Sequence, residues 1–303
     1  MFSVTATQLN LRSTPEAKSD LSNRVATLPN GQMVEKLSDN GNGWWRVSTN
    51  LQGTEFVGFV AAQYLSGVVQ PIISNSISEV HLSKTNANSN RNSKAGMAFP
   101  LSENALPIRD LTNDSTKIQS IKSILDWLNV ENSVRYQPGG GFTFCNIYAH
   151  DFCYLNGVYI PRVWWTPSAL IRLSQGEDVP VQYGQTVNEK NANSLLDWFK
   201  DWGLNFGWER INTMTALQKR ANEGKICILV AKRRDTNRSG HIVAIVPETD
   251  TQFAKRDANG VVTVPLQSQA GASNYKYTCG SKWWLSNESN GPKFSEFIMF
   301  CHT

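Results

Sequence analysis

The sequence predicts an α+β protein with two unlike halves: a small all-β barrel at the N-terminus and a larger unit in which helices precede an antiparallel sheet. Three observations predict this. Residues 4–68 hold short apolar runs separated by turn signals, with no helical period. Residues 69–111 are dense in Ser and Asn and read as a linker. Residues 112–303 show apolar positions at helical spacing first and strand-like runs afterwards. The 303 residues are 40% hydrophobic and 18% charged, which excludes a wholly disordered chain. That length suits about two domains at roughly 100–200 residues each.

In the first unit residues 8–12 alternate in polarity, Pro29-Asn30-Gly31 marks a turn, and residues 33–37 form a second run. Asn40-Gly41-Asn42-Gly43 is a hairpin signal leading into Trp44-Trp45-Arg46-Val47-Ser48, and residues 56–60 follow as another apolar strand. Inside the linker a short strand is expected at residues 80–82, with His81 at the surface or in packing. A helix starts at Asp114 with Ser115 as its cap and Ile118, Ile121, Leu125 and Leu128 on one face. Gly139-Gly140-Gly141 is a loop without the Lys-Ser/Thr of a phosphate loop, so nucleotide binding is rejected. Helices are expected over 144–155, 168–174, 193–204 and 213–222, and strands over 225–232, 241–247, 261–269 and 294–301.

The net charge of +4 is mild and unclustered, which argues against nucleic acid as a partner but is compatible with an anionic polymer. No run of about 18 apolar residues exists, so no membrane span is expected. The N-terminus lacks a basic region followed by an apolar one, so synthesis in the cytoplasm without a signal peptide is expected. Five cysteines without a C-x-x-C pair are neither a disulfide framework nor a zinc pattern; no metal and no cofactor are expected.

Cys145 follows the Gly-rich loop and opens a helix, where a helix N-terminus shifts a thiol toward thiolate. His241 follows Ser239-Gly240 and begins an apolar strand, from which it can reach a helix packed on the sheet. Each residue alone reads as packing. Together they are the minimum for acyl transfer, a nucleophile and its base. Gln267 and Gln269 share one strand face, and either, or Glu248, is a candidate to orient the imidazole; Gln269 is preferred because it abuts Ala270-Gly271. On the Cys145 helix, His150 is five positions on and poorly placed to serve the thiol, and Cys153 is expected in the core.

Leu9-Asn10-Leu11-Arg12-Ser13 with Pro15, then Leu28-Pro29-Asn30-Gly31, Gly43-Trp44-Trp45-Arg46-Val47, Gly58-Phe59-Val60 and Tyr64-Leu65 resemble a bacterial SH3-like (SH3b) domain over residues 4–68. That resemblance implies binding to cell-wall peptidoglycan. Cys145-Asn146-Ile147-Tyr148-Ala149, the helix-to-strand step at Ala221-Asn222-Glu223-Gly224-Lys225, Ser239-Gly240-His241-Ile242-Val243-Ala244 and Gln269-Ala270-Gly271 resemble the papain-like CHAP and NlpC/P60 wall hydrolases over residues 112–303. It departs from them in lacking Asp-Cys-Ser-Gly and the CHAP Glu. The resemblance implies a papain-like fold and a cysteine amidase or endopeptidase cutting the stem peptide through Cys145, His241 and Gln269, with Tyr136 at the oxyanion site. Trp164 and Trp165, and Trp44 and Trp45 in the barrel, are the aromatic candidates for substrate binding. A non-catalytic wall-binding adaptor and an amide-forming acyl transferase on the same dyad are the competing expectations. A wall hydrolase without a leader needs another route out, of which phage lysis and an injection apparatus are two, and a monomer is expected.

Overall fold

The computed structural model describes residues 2–51, 54–67, 77–83 and 89–302. Seven strands make the N-terminal unit: β1 (Phe2–Val4), β2 (Gln8–Arg12), β3 (Arg24–Pro29), β4 (Met33–Asp39), β5 (Trp44–Leu51), β6 (Thr54–Ala61) and β7 (Leu65–Gly67). They curl into one antiparallel sheet in the order β3-β2-β6-β5-β4-β1-β7. Alternate residues meet inside: Val4, Leu9, Leu11, Leu28, Val34, Val47 and Val60 are the buried core. Asn40–Gly43 turns as expected, with the Trp44 N–H donating to Gly41 O at 3.0 Å.

The second unit contains α1 (Asp114–Leu128), α2 (Cys145–Leu155), β8 (Val163–Trp165), α3 (Pro167–Ser174), β9 (Val187–Glu189), α4 (Ala192–Asp201), β10 (Trp208–Ile211), α5 (Met214–Asn222), β11 (Ile226–Arg233), β12 (His241–Ile245), β13 (Lys255–Arg256), β14 (Val262–Val264), β15 (Gln267–Gln269), β16 (Tyr275–Thr278), β17 (Asn287–Glu288), β18 (Gly291–Pro292) and β19 (Phe294–His302). Its main sheet is antiparallel throughout, ordered β10-β19-β11-β12-β15-β16. β11 is central and buried on both faces. Ile226, Ile228 and Val230 point to the core shared with α1, α2 and α4; Cys227, Leu229 and Ala231 point to a second core with α5 and Trp284.

The strand expected at residues 80–82 does not form, and three other local differences from the sequence expectation have plain causes. Asn113, not Ser115, caps α1: its backbone is still extended and its side chain accepts from the Thr116 N–H at 3.0 Å, while Ser115 is already helical. The expected strand 261–269 is two strands, because Pro265 has no N–H to give a ladder; β14 pairs with β13 and β15 joins the main sheet. The helix expected to reach residue 204 ends at Asp201 and continues as a 3₁₀ turn over Gly203–Phe206.

Within the Ser/Asn-rich segment, residues 68–76 and 84–88 lie outside the described residues. Residues 77–83 and 89–111 pack on the second unit, with Val80 and Leu101 in its core. Hydrogen bonds hold this strap where its composition offers little apolar area. Arg135 Nη2 donates to Phe99 O at 3.1 Å, Arg162 Nε to Met97 O at 2.9 Å, and the Val80 N–H to the Tyr159 hydroxyl at 3.1 Å. The barrel joins the second unit through Glu55, whose carboxylate accepts from the Thr215 hydroxyl at 3.0 Å at the start of α5.

Candidate active site

α2 begins directly after the glycine loop. Gly140 and Gly141 have φ of 59° and 79°, a region that glycine enters without strain, and so they turn the chain back into the helix. Phe144 at the N-cap supplies no side-chain acceptor, so the first N–H groups of α2 lack a side-chain cap. Cys145 is the first helical residue and is 2% exposed. Burial pushes its thiol above the ordinary range, and the backbone N–H groups of Ile242 and Asn146 oppose that rise. Burial outweighs the helix N-terminus here, so the resting sulfur is a thiol and not the thiolate that its position in the sequence suggests. The opposing N–H of Ile242 also places the sulfur against the start of β12, one residue from His241.

His241 is half-buried. β12 and β15 pair Ala244 with Ser268 and Ile245 with Gln267. Carrying that antiparallel register forward puts Gln269 diagonal to His241, within reach of a long side chain. The imidazole Nε2 lies 3.0 Å from Gln269 Oε1. The Gln269 amide nitrogen donates to Ser273 O at 3.2 Å, so its oxygen must face the ring and Nε2 must carry the hydrogen. Nδ1 then presents its lone pair and has no hydrogen-bond partner among the described residues. Trp283 stands edge-on to the ring at 4.6 Å between centroids, and Gln267 fixes Trp283 by accepting its indole N–H at 2.7 Å. Burial lowers the His241 pKa to about 4, with Lys293 acting in the same direction, so the ring is neutral near pH 7.

α4 sets the loop that delivers His241. Asn193 accepts the Arg233 N–H at 2.8 Å and donates to Arg238 O at 2.9 Å, clamping both ends of the β11–β12 connection. Gly240 passes beneath this clamp. A methyl group there would overlap the Ala231 carbonyl oxygen and sit 2.6 Å from Asn193 Oδ1. Gly240→Ala is therefore expected to destabilise the protein by about 1–3 kcal/mol and to displace His241. Thermal unfolding checks the first effect, and the histidine's NMR titration the second; a variant with unchanged Tm and titration would refute the clash.

A cleft of about 1150 Å³ lies beside these residues. Phe144, Asn146 and Ile147 line it from the glycine loop and α2; His241, Gln267, Gln269 and Trp283 line it from the sheet side. Cys145 lies between two of the lining residues, and among the described residues no hydrogen bond joins it to His241. Of the other sequence candidates, Gln267 serves the cleft as the brace of Trp283. Tyr136 is fully buried and its hydroxyl donates to Asp151 at 3.1 Å, which commits it to the core instead of to an oxyanion. Glu248 is bound by Arg256 at 2.6 Å and also by Asn222, which together hold its pKa at about 2, away from the imidazole. Trp164 and Trp165 are buried; Trp164 packs with Trp198 and Trp202 at 5.7 and 5.6 Å, so they are core and not a substrate wall. In the barrel Trp44 and Trp45 are half-buried, with Trp45 against Phe2 at 4.7 Å and under the Lys36 ammonium at 3.8 Å. Phe142, Phe144, Tyr275, Trp283 and Phe294 are the cleft aromatics that sequence reasoning missed. Only Trp283 carried a signal in the sequence, its doublet with Trp284. His150 and Cys153 are buried, and among the described residues no group of three or more His, Cys, Asp or Glu is placed to hold a metal ion.

Residues 7–66 match the bacterial SH3 domain family. No curated protein matches the chain. A solved structure of NlpC2 from Trichomonas vaginalis is similar over 93% of this chain and 71% of that one, at 14% identity and a TM-score of 0.19, too low to establish a shared fold. Among the described residues no helix is long and apolar enough to cross a membrane.

Proposed function

We propose that the second unit is a cysteine hydrolase of amide bonds in peptidoglycan stem peptides and that the barrel holds it to the cell wall. The observation that carries the reading is the imidazole of His241, locked by Gln269 into the tautomer with Nδ1 bare, on the wall of a cleft whose other side is built from the residues flanking Cys145. In the first step Nδ1 takes the Cys145 proton as the sulfur attacks the carbonyl carbon. The tetrahedral oxyanion is met by backbone N–H at the α2 terminus. The imidazolium then protonates the leaving amine; the neutral ring afterwards draws a proton from the attacking water and returns it to the departing sulfur as the acid is released. Neutral Gln269 orients the ring without the charge stabilisation a carboxylate would add. The bacterial SH3 domain supports the wall as the substrate.

Purified wall sacculi incubated with the protein are expected to release soluble fragments, each with one new free amine in its mass spectrum; release of glycan fragments alone, or of none, would overturn the reading. The adaptor reading is favoured by one observation, the 2% exposure of Cys145. It requires the protein to sediment with sacculi and release nothing.

A further inference from the structure

The wall of the cleft next to His241 is cationic. Arg233 at the end of β11, Arg238 in the loop after it and Lys293 just before β19 all line it. Glu288 is the carboxylate that answers them, and it is shared: Arg233 and Arg238 both bind its Oε1. Lys293 makes no ion pair within 4.0 Å among the described residues. Its backbone is fixed from both directions, Arg234 N–H donating to Lys293 O at 3.1 Å and Lys293 N–H to Ser286 O at 2.9 Å. The Lys293 backbone is thus fixed on the same wall as the base, and its ammonium, 5.4 Å over the Phe294 ring, has no carboxylate within ion-pair distance among the described residues. Partial desolvation first, then repulsion from Arg233 and Arg238, lowers its pKa against the opposing attraction of Glu288, and its own charge in turn depresses the pKa of His241. The acidic residue on the cleft lining, Glu189, already binds Arg162 at 2.8 Å and Tyr183 at 2.8 Å.

We propose that Lys293, with Arg238 beside it, is a carboxylate-binding subsite that selects stem peptides carrying a free carboxylate next to the bond that is cut. The inference rests on the hydrolase reading and adds its specificity. An anion docked there would meet a charge-assisted donor in a partly dry setting, where such contacts are strongest. It would also relieve the repulsion among the three cations. A carboxamide at the same place accepts a hydrogen bond but brings no charge, so it gains much less.

The test uses the full chain carrying Cys145→Ala, so that binding is separated from turnover, and two synthetic peptides, L-Ala-γ-D-Glu-L-Lys-D-Ala with its C-terminus amidated and the same peptide with the D-Glu carboxylate also amidated. Calorimetric titration is expected to show the carboxylate peptide binding about tenfold more tightly, with the advantage shrinking as salt rises. Lys293→Gln in that background should remove the preference by weakening the carboxylate peptide much more than the amidated one, and Lys293→Arg should keep it. Equal affinities for the two peptides, or equal weakening of both by Lys293→Gln, overturn the subsite and leave the hydrolase reading intact. Binding of neither peptide, alongside absence of release from sacculi by the unsubstituted protein, overturns both.

Discussion

Replacing Cys145 with Ala is expected to abolish release of wall fragments, lowering kcat/KM by at least about a thousandfold, because in the proposed mechanism the acyl intermediate forms on its sulfur. The methyl side chain fits the same 2%-exposed space, so folding and attachment of the barrel to sacculi should be unchanged. Sedimentation with sacculi therefore separates loss of chemistry from loss of binding. The pH dependence of the unsubstituted protein supplies a second readout. His241 must be neutral to accept the thiol proton, and burial with the nearby Lys293 charge holds its pKa at about 4 rather than the ordinary 6.5. The imidazole is protonated and inactive below that value, so the acid limb of kcat/KM should rise through about pH 4, and activity should already be on its plateau at pH 6. An acid limb centred near 6.5 would mean that the imidazole is solvated during catalysis and that the buried geometry is not the working one. Fragment release that persists in Cys145→Ala would remove the residue from the mechanism altogether.

The parts of this site that were legible in the sequence share a property: each is announced by a residue type that few other roles require. Gly240 before His241 and the glycine loop before Cys145 mark places where the backbone must turn or pass close, and both residues sit where those marks put them, at the leading ends of β12 and α2. Gln269 was legible through period two, which aligns it with Gln267 on the face that His241 uses. The aromatic residues were misread for the converse reason. A tryptophan in sequence carries no sign of its depth, and Trp164 and Trp165 follow a glycine- and proline-containing stretch that reads like a surface insertion. Only three-dimensional packing shows that Trp198 of α4 and Trp202 just after it bury Trp164. Tyr136 was placed by its distance from Cys145 along the chain, and its partner is Asp151, which no linear spacing connects to it. The strap over residues 89–111 was hidden similarly. Its Ser and Asn content reads as solvated chain, and the arginines that bind its carbonyls come from elements downstream.

Asp151→Ala is expected to cost about 3–5 kcal/mol of stability. Asp151 is fully buried on α2 and accepts three side chains: Arg135 Nε at 2.6 Å, the Tyr136 hydroxyl at 3.1 Å and His150 Nδ1 at 3.1 Å. Arg135 is itself wholly buried, and its Nη1 already lacks a hydrogen-bond partner. Removing the carboxylate would leave a buried guanidinium without its ion-pair partner, and a penalty of that size is a large share of the roughly 5–15 kcal/mol that holds a folded domain together. The damage should start at the strap, because Arg135 also carries Phe99 O on its side chain and Arg91 O on its backbone N–H. Amides of residues 89–103 are expected to lose hydrogen-exchange protection before those of β11. The pH dependence has a definite sign. Burial opposes ionisation of Asp151, but Arg135 and His150 override it and hold the carboxyl below its ordinary 3.8. Its contribution is thus complete above about pH 3.8 and declines as the pH falls through the lower folded-state value, so the penalty measured by urea unfolding should be full at pH 7. Asp151→Asn keeps the shape and one acceptor and should cost less. A loss under about 1 kcal/mol in Asp151→Ala, or unfolding that spares the strap, would show that Arg135 is satisfied by other groups and that this ion pair does not hold the segment to the body of the second unit.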